Sequence, residues 1–211
     1  MYKPDCENIQ IANFYEDNFL NIPNIKGYKK VPKELNFISF NYCKSLLAKG
    51  LNESYSVDYF LDDYQFNRLW RNPKKYVEIL KNYDYVLSPD FSLYLDYPKA
   101  MQIWKHYQKH WLARYWQENG IKVIPTICWS DESSYNWCFI GEPKHSVVAV
   151  SSVGTQKNKR SKELFIKGYK EMLRRLQPTE ILFWGNIPDE CKGNIRHMGY
   201  VMDEKFKLLR S

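Results

Sequence analysis

The stretch "VLSPDFSLYLDYP", Val86–Pro98, passes abruptly from apolar to polar, and the reading of that break decides the fold. Val86 and Leu87 close a longer run, "YDYVLS" (83–88), whose aromatic and β-branched residues suit a strand covered on both faces. Pro89 cannot donate to a strand ladder, so the strand ends there and delivers Ser88 and Asp90 at its C-terminal end. Parallel α/β folds place their ligand sites at such ends.

The pattern recurs on both sides. "FISF" (37–40) and "VDYFL" (57–61) precede it, and "KVIPTI" (122–127), "SVVAVSS" (146–152) and "EILFW" (180–184) follow, so six strands are the minimum expectation. Helical patterns separate them. "YQFNRLWRNPKKYVEILKN" (64–82) begins after Asp62 and Asp63, and Pro73 divides it because proline cannot continue an interior helical ladder. "YPKAMQIWKHYQKHWLARYWQENG" (97–120) spaces Met101, Trp104, Trp111, Leu112 and Tyr115 at helical intervals and stops at Asn119-Gly120. "SKELFIKGYKEMLRRLQP" (161–178) does the same with Leu164, Phe165, Met172, Leu173 and Leu176, and ends before Pro178.

Strand followed by helix predicts an α/β fold with a parallel sheet. The favoured form is a single-domain, short or incomplete (β/α) barrel of the TIM type; an open doubly wound parallel sheet is the alternative. A full barrel needs eight strands and usually about 250 residues. Residues 1–30, read as an N-terminal extension or cap on the domain, and the tail "YVMDEKFKLLRS" would then supply or cover what is missing. The barrel is favoured because polar residues end almost every strand, whereas an open sheet gathers its site at one switch point. No repeat, low-complexity tract or Gly/Ser linker divides residues 1–211.

A chain of 211 residues, 44% of them hydrophobic, can bury a core without disulfides or metal. Lys and Arg outnumber Asp and Glu by 31 to 24, a net charge of +7 that suits an anionic partner: nucleic acid, a nucleotide or an acidic host protein. The 17% aromatic content serves base stacking or, more commonly, packing between sheet and helices. The five cysteines are scattered without CxxC or CxxH spacing, which argues against a disulfide framework or a zinc site built on them. No apolar stretch approaches the roughly 18 residues of a membrane span, so no membrane partner is expected. The expected setting is the cytoplasm, with reduced thiols.

The residues after each strand form a set: Asn41; Asp62 and Asp63; Ser88 and Asp90; Trp129, Asp131 and Glu132; Ser151 and Ser152; Trp184 and Asn186. If the sheet closes, Asp63, Asp90 and Asp131 face one mouth, where crowded like charge raises at least one pKa and sets an acid beside a base. That suits hydrolysis of a phosphodiester or N-glycosidic bond, by the carboxylates alone or with a divalent metal ion among their oxygens. The competing reading is helix capping, since each of these aspartates precedes a helical segment. In "SSVGTQKNKRSKELF" (151–165), Gly154, Thr155, Lys157, Lys159 and Arg160 precede a helix N-terminus and suit a phosphate, though Walker A spacing is absent and a solvated basic turn is the plainer reading. His106 and His110 lie one helical turn apart and could share a metal, but no HExxH glutamate accompanies them and the helix is expected to lie outside. Cys43 and Cys128, at strand ends, are candidate nucleophiles without a paired histidine in view.

"FLDDYQFNRLWRNP", "LSPDFSLYLDYPKAMQIWKHY", "YWQENGIKVIPTICW" and "VAVSSVGTQKNK" together resemble a family of phage, prophage and mobile-element proteins grouped as a domain of unknown function. The resemblance covers about residues 35–190 and implies a mobile-element setting, hence the host cell's cytoplasm. It implies no reaction, cofactor or catalytic residue. Three functions remain open: a hydrolase acting on nucleic acid or a nucleotide; a non-enzymatic DNA- or host-protein-binding factor in replication or counter-defence; and a module that sequesters a nucleotide.

Overall fold

A computed structural model describes Gln10, Phe14 and residues 16–199. Its strands are β1 (Asn36–Ser39), β2 (Tyr55–Asp58), β3 (Val86–Leu87), β4 (Val123–Ile124), β5 (Val147–Ser151), β6 (Glu180–Trp184) and β7 (Ile195–Met198). Its α-helices are α1 (Phe40–Ala48), α2 (Arg68–Arg71), α3 (Pro73–Leu80), α4 (Lys99–Glu118) and α5 (Lys159–Leu176), with 3-10 turns at Asp63–Gln65 and Glu132–Asn136. Pro73 divides the second helical pattern as expected and stands in the first turn of α3, where its missing N–H has no partner to lose.

Every ladder is parallel. One sheet runs β1-β2-β3-β4 and the other β5-β6-β7. Pro125, just past β4, interrupts the donors there. Among the described residues a single bridge, Thr126 to Ala149, nevertheless joins the two sheets. The Ile127 N–H donates to Ala149 O at 2.9 Å and the Ala149 N–H to Pro125 O at 2.8 Å. The strands therefore succeed one another in chain order.

This order departs from the doubly wound alternative and, among the described residues, leaves a barrel unclosed. A doubly wound sheet reverses its strand order at a switch point, and this one does not. A closed barrel needs β7 paired to β1, and among the described residues no such ladder exists. Side chains span the gap instead. The Arg196 guanidinium donates to Pro32 O and Lys33 O at 2.7 and 2.9 Å, and the Thr179 hydroxyl to Lys29 O at 2.9 Å, tying β6 and β7 to the segment before β1.

The last strands are apolar on both faces because both faces are covered. Val148, Val150, Ile181 and Phe183 pack beneath Phe165, Tyr169, Met172 and Leu176 of α5. The alternate residues Val147, Ala149, Leu182 and Trp184 join Phe37 and Val57 in the other cluster. Trp184, fully buried, meets Phe37 edge-on at 5.1 Å and Phe60 at 4.7 Å. Of the N-terminal extension, Ile22 and Ile25 are buried, and the Ile25 N–H donates to Gly141 O at 2.9 Å. Most of residues 1–15 and the tail 200–211 lie outside the described residues. No helix among the described residues is long and apolar enough to cross a membrane.

Helix α4 departs from expectation. It buries Lys105, His106, Lys109 and His110 together with Trp111, Leu112 and Trp116, so these four polar residues point inward rather than to solvent.

Truncating Trp184 to Ala should remove the side chain that joins β6 to the first two strands, at a cost of about 3–5 kcal/mol. Urea unfolding of the purified protein measures this; a loss below about 1 kcal/mol would show that the interior does not depend on that ring.

Candidate functional site

Because all ladders are parallel, the loops that follow the strands share one face. There a cleft of about 820 Å³ opens at the ends of β2 to β5. Phe60 and Asp62 line it after β2, Asp90 and Phe91 after β3, Cys128 and Trp129 after β4, and Gly154, Thr155 and Lys157 after β5.

Asp90 is the aspartate of the predicted three that enters this cleft. Pro89 is buried and ends the strand, leaving Asp90 part-exposed beyond it. Its carboxylate accepts the Cys128 thiol at 2.8 Å. Burial pushes its pKa up to about 6; the Cys128 hydrogen bond and the Lys109 charge oppose that rise, and Asp63 adds to it. Burial likewise drives the Cys128 thiol well above its ordinary value, and Asp90 reinforces it. Cys128 is therefore a proton donor to Asp90 rather than a thiolate nucleophile. Cys43, the other candidate, is buried among apolar residues and pushed up to about 12.

The other two aspartates are engaged locally. Asp63 accepts from the Ser92 amide at 3.1 Å and the Ser92 hydroxyl at 2.8 Å, and it forms an ion pair with Lys105. Asp131 accepts from the Ser133 amide at 2.9 Å and the Ser133 hydroxyl at 2.7 Å, which makes it the cap of the turn Glu132–Asn136. The capping alternative thus describes Asp131, while Asp63 holds the end of β2 to the loop after β3. Among the described residues these aspartates do not come together as donors for one ion.

Several other candidates hold the frame. Ser88 stitches β3 to β4: its hydroxyl accepts from the Thr126 amide at 2.8 Å, and its carbonyl accepts the Thr126 hydroxyl at 2.9 Å. The Ser152 hydroxyl donates to Asn186 O at 2.6 Å, joining the loops after β5 and β6. Trp184 belongs to the interior. Glu132 is exposed and paired with Lys167 at 2.6 Å, and Asn41 bonds to Gln65, itself a cleft residue. Trp129 stands over Gly168, where a Cβ would lie 2.1 Å from the indole, so glycine there is what admits the ring.

In the basic loop, Ser151 lines the cleft and its hydroxyl accepts from the Val153 amide at 3.2 Å. Gly154 takes a φ of +82°, a conformation glycine adopts without strain. Thr155 turns its hydroxyl to Ser152 O at 2.7 Å, and Asn158 caps α5 by accepting from the Ser161 amide at 2.8 Å. Lys157 faces the cleft; Lys159 and Arg160, in the first turn of α5, are exposed and outside its lining.

Two features escaped the sequence reading. Asp58, the last residue of β2, is buried, and burial pushes its carboxyl up to about 6 despite hydrogen bonds from the Phe60 amide and Ser39. An acidic residue inside the apolar run "VDYFL" was the available signal. The second is a buried network behind the cleft. The Lys109 ammonium donates to Thr126 O at 2.9 Å and to the Glu142 carboxylate at 2.5 Å, and His110 lies 3.0 Å from the same oxygen. Burial would lower the Lys109 pKa, but Glu142 overrides it and holds the ammonium charged. Glu142 sits in a loop 33 residues from Lys109, a separation that no local pattern bridges.

No solved structure matches the chain. Two phage proteins do. The Gene 1 protein of Mycobacterium phage L5 is 35% identical over 185 residues, covering 88% of this chain and 79% of its own length. The Gene 1 protein of Mycobacterium phage D29 is 38% identical over 185 residues, covering 88% and 67%. The model of the domain of unknown function DUF4417 matches residues 14–201, taking in every strand and the whole cleft, and the chain belongs to that family.

Proposed function

We propose that the cleft binds a nucleotide or a nucleic-acid end and that the protein hydrolyses it, with Asp90 as the proton-transferring group. The observation that carries this reading is a carboxyl whose pKa lies near 6, part-exposed at the cleft and hydrogen-bonded to a thiol. A general acid or base is most effective when its pKa lies close to the working pH. Phe60 and Trp129 supply ring faces or edges for a base. Lys157, beside the Gly154 turn, supplies a cation for phosphate. Asp63 acts indirectly in this scheme, holding Lys105 and the Ser92 loop; Asp131 keeps only its capping role.

The architecture we infer is an incomplete (β/α) barrel, supported by the strand succession in chain order and by Trp184 meeting Phe37 of β1 and Phe60 just past β2. The phage origin of the relatives supports action within a host cell's cytoplasm. A second reading, sequestration of an intact nucleotide, is favoured by the engagement of Asp63 and Asp131 in local contacts, which withdraws them as partners of Asp90 in a two-carboxylate hydrolysis.

Two measurements follow. In a chromatographic assay over nucleotides and short oligonucleotides, Asp90→Asn should lower turnover about 10²–10⁴-fold while the protein stays folded. Lys157→Ala should weaken ligand binding with turnover of the bound ligand largely kept. Full turnover by Asp90→Asn removes the catalytic assignment; tight binding with the ligand recovered unchanged from the wild type replaces hydrolysis with sequestration.

The second measurement concerns Asp58. Its folded pKa of about 6 exceeds the ordinary 3.8, so its contribution to stability is fully present below pH 3.8 and is lost as pH rises through about 6. Between pH 5 and 7 that loss is about 1 kcal/mol, and Asp58→Asn should abolish it. Urea unfolding at the two pH values compares them; equal pH dependence in both proteins would show that Asp58 does not titrate this way.

A further inference from the structure

We propose that His106, His110 and Glu142 form a binding site for one divalent transition-metal ion, with Zn²⁺ as the natural candidate. The site is distinct from the cleft, whose lining includes none of the three. Helix α4 places His106 and His110 one turn apart with ring centroids 4.3 Å apart, and the loop after the Glu132–Asn136 turn brings Glu142 against them. One donor atom from each residue lies within 4.8 Å of the others, and all three residues are buried. Around an ion with bonds of about 2 Å, ligand atoms sit roughly 3–4 Å apart, so small side-chain shifts close the set.

The hydrogen bonding leaves donor atoms unclaimed among the described residues. His106 Nε2 lies 3.0 Å from Ile140 O, which can only accept, so that nitrogen carries the proton and Nδ1 keeps its lone pair. Among the described residues Nδ1 has no partner, and neither has Glu142 Oε2; both atoms are buried. His110 Nδ1 lies 2.8 Å from Pro23 O and its Nε2 3.0 Å from Glu142 Oε1. A neutral imidazole has one proton to offer these two acceptors. With that proton held by Pro23, the Nε2 lone pair faces a carboxylate, an arrangement that a cation resolves.

Each ring is thus oriented by an N–H to a backbone carbonyl, the usual outer support of a metal-bound histidine. Gly141, at φ +78°, lets the loop approach: a Cβ there would lie 2.6 Å from Pro23 O and 2.7 Å from His110 Nδ1. Two imidazoles and one carboxylate suit Zn²⁺, Co²⁺ or Ni²⁺ rather than Ca²⁺ or Mg²⁺. Lys109 occupies Oε1, which leaves Oε2 for the ion and makes the ammonium its competitor.

The test uses the full-length protein, stripped with chelator and titrated with Co²⁺ as a spectroscopic probe. The expected result is one Co²⁺ per chain, a visible d–d band abolished by Zn²⁺, and a Tm that rises with ion concentration. His106→Gln and Glu142→Gln, each checked for folding by circular dichroism, should lose at least tenfold in affinity, whereas His145→Gln should lose none. Absence of stoichiometric Co²⁺ binding by the folded wild type overturns the proposal, as does unchanged affinity in the folded variants. If the variants fail to fold, imidazole ¹⁵N resonances of the wild type decide: Zn²⁺ should shift two histidines, and no shift overturns the site.

Discussion

Trp184 packed against Phe37 and Phe60 is the contact on which the arrangement turns. It draws β6 toward the first two strands, although the two sheets share only one backbone bridge among the described residues. Large aromatic side chains can make this junction because their contact area is high and non-directional, whereas a ladder would need matched strand edges. With neighbouring strands parallel, their C-terminal loops are obliged to gather on one side.

That gathering explains the electrostatics. Asp58 and Asp90 end neighbouring strands and both lie in low-dielectric surroundings, so each is held protonatable near pH 6. Lys109 offsets part of this from below. Its ammonium reaches Thr126 O at the end of β4, pairs with Glu142, and lowers the Asp90 pKa through its charge. Helix α4 is therefore more than an outer layer. It inserts charge between the sheet and the loop that carries Glu142, and the Lys109 charge acts on both Asp90 and His110.

Much of the frame was legible along the chain. Val148 and Val150, or Ile181 and Phe183, belong to apolar runs whose continuity already requires cover on both faces, and Pro73 marks a helix start by its own chemistry. The Gly154 turn and the position of Asp90 after Pro89 were legible for the same reason: a residue's own backbone limits act wherever it stands. Roles that depend on a partner were not. Asp63, Asp90 and Asp131 are alike in sequence, yet Ser92 and Lys105 engage the first, Cys128 the second and Ser133 the third.

The sequence by itself determined the alternation of strands and helices, the polar strand ends and the basic loop, because periodicity and local backbone chemistry act over a few residues. Only the tertiary structure decided which aspartate enters the cleft, that β7 stays unpaired with β1 among the described residues, and that His106, Lys109 and His110 turn inward to meet Glu142. These outcomes depend on burial and on contacts between residues far apart in the chain, and the energy of a charge is set by the surroundings that such contacts create.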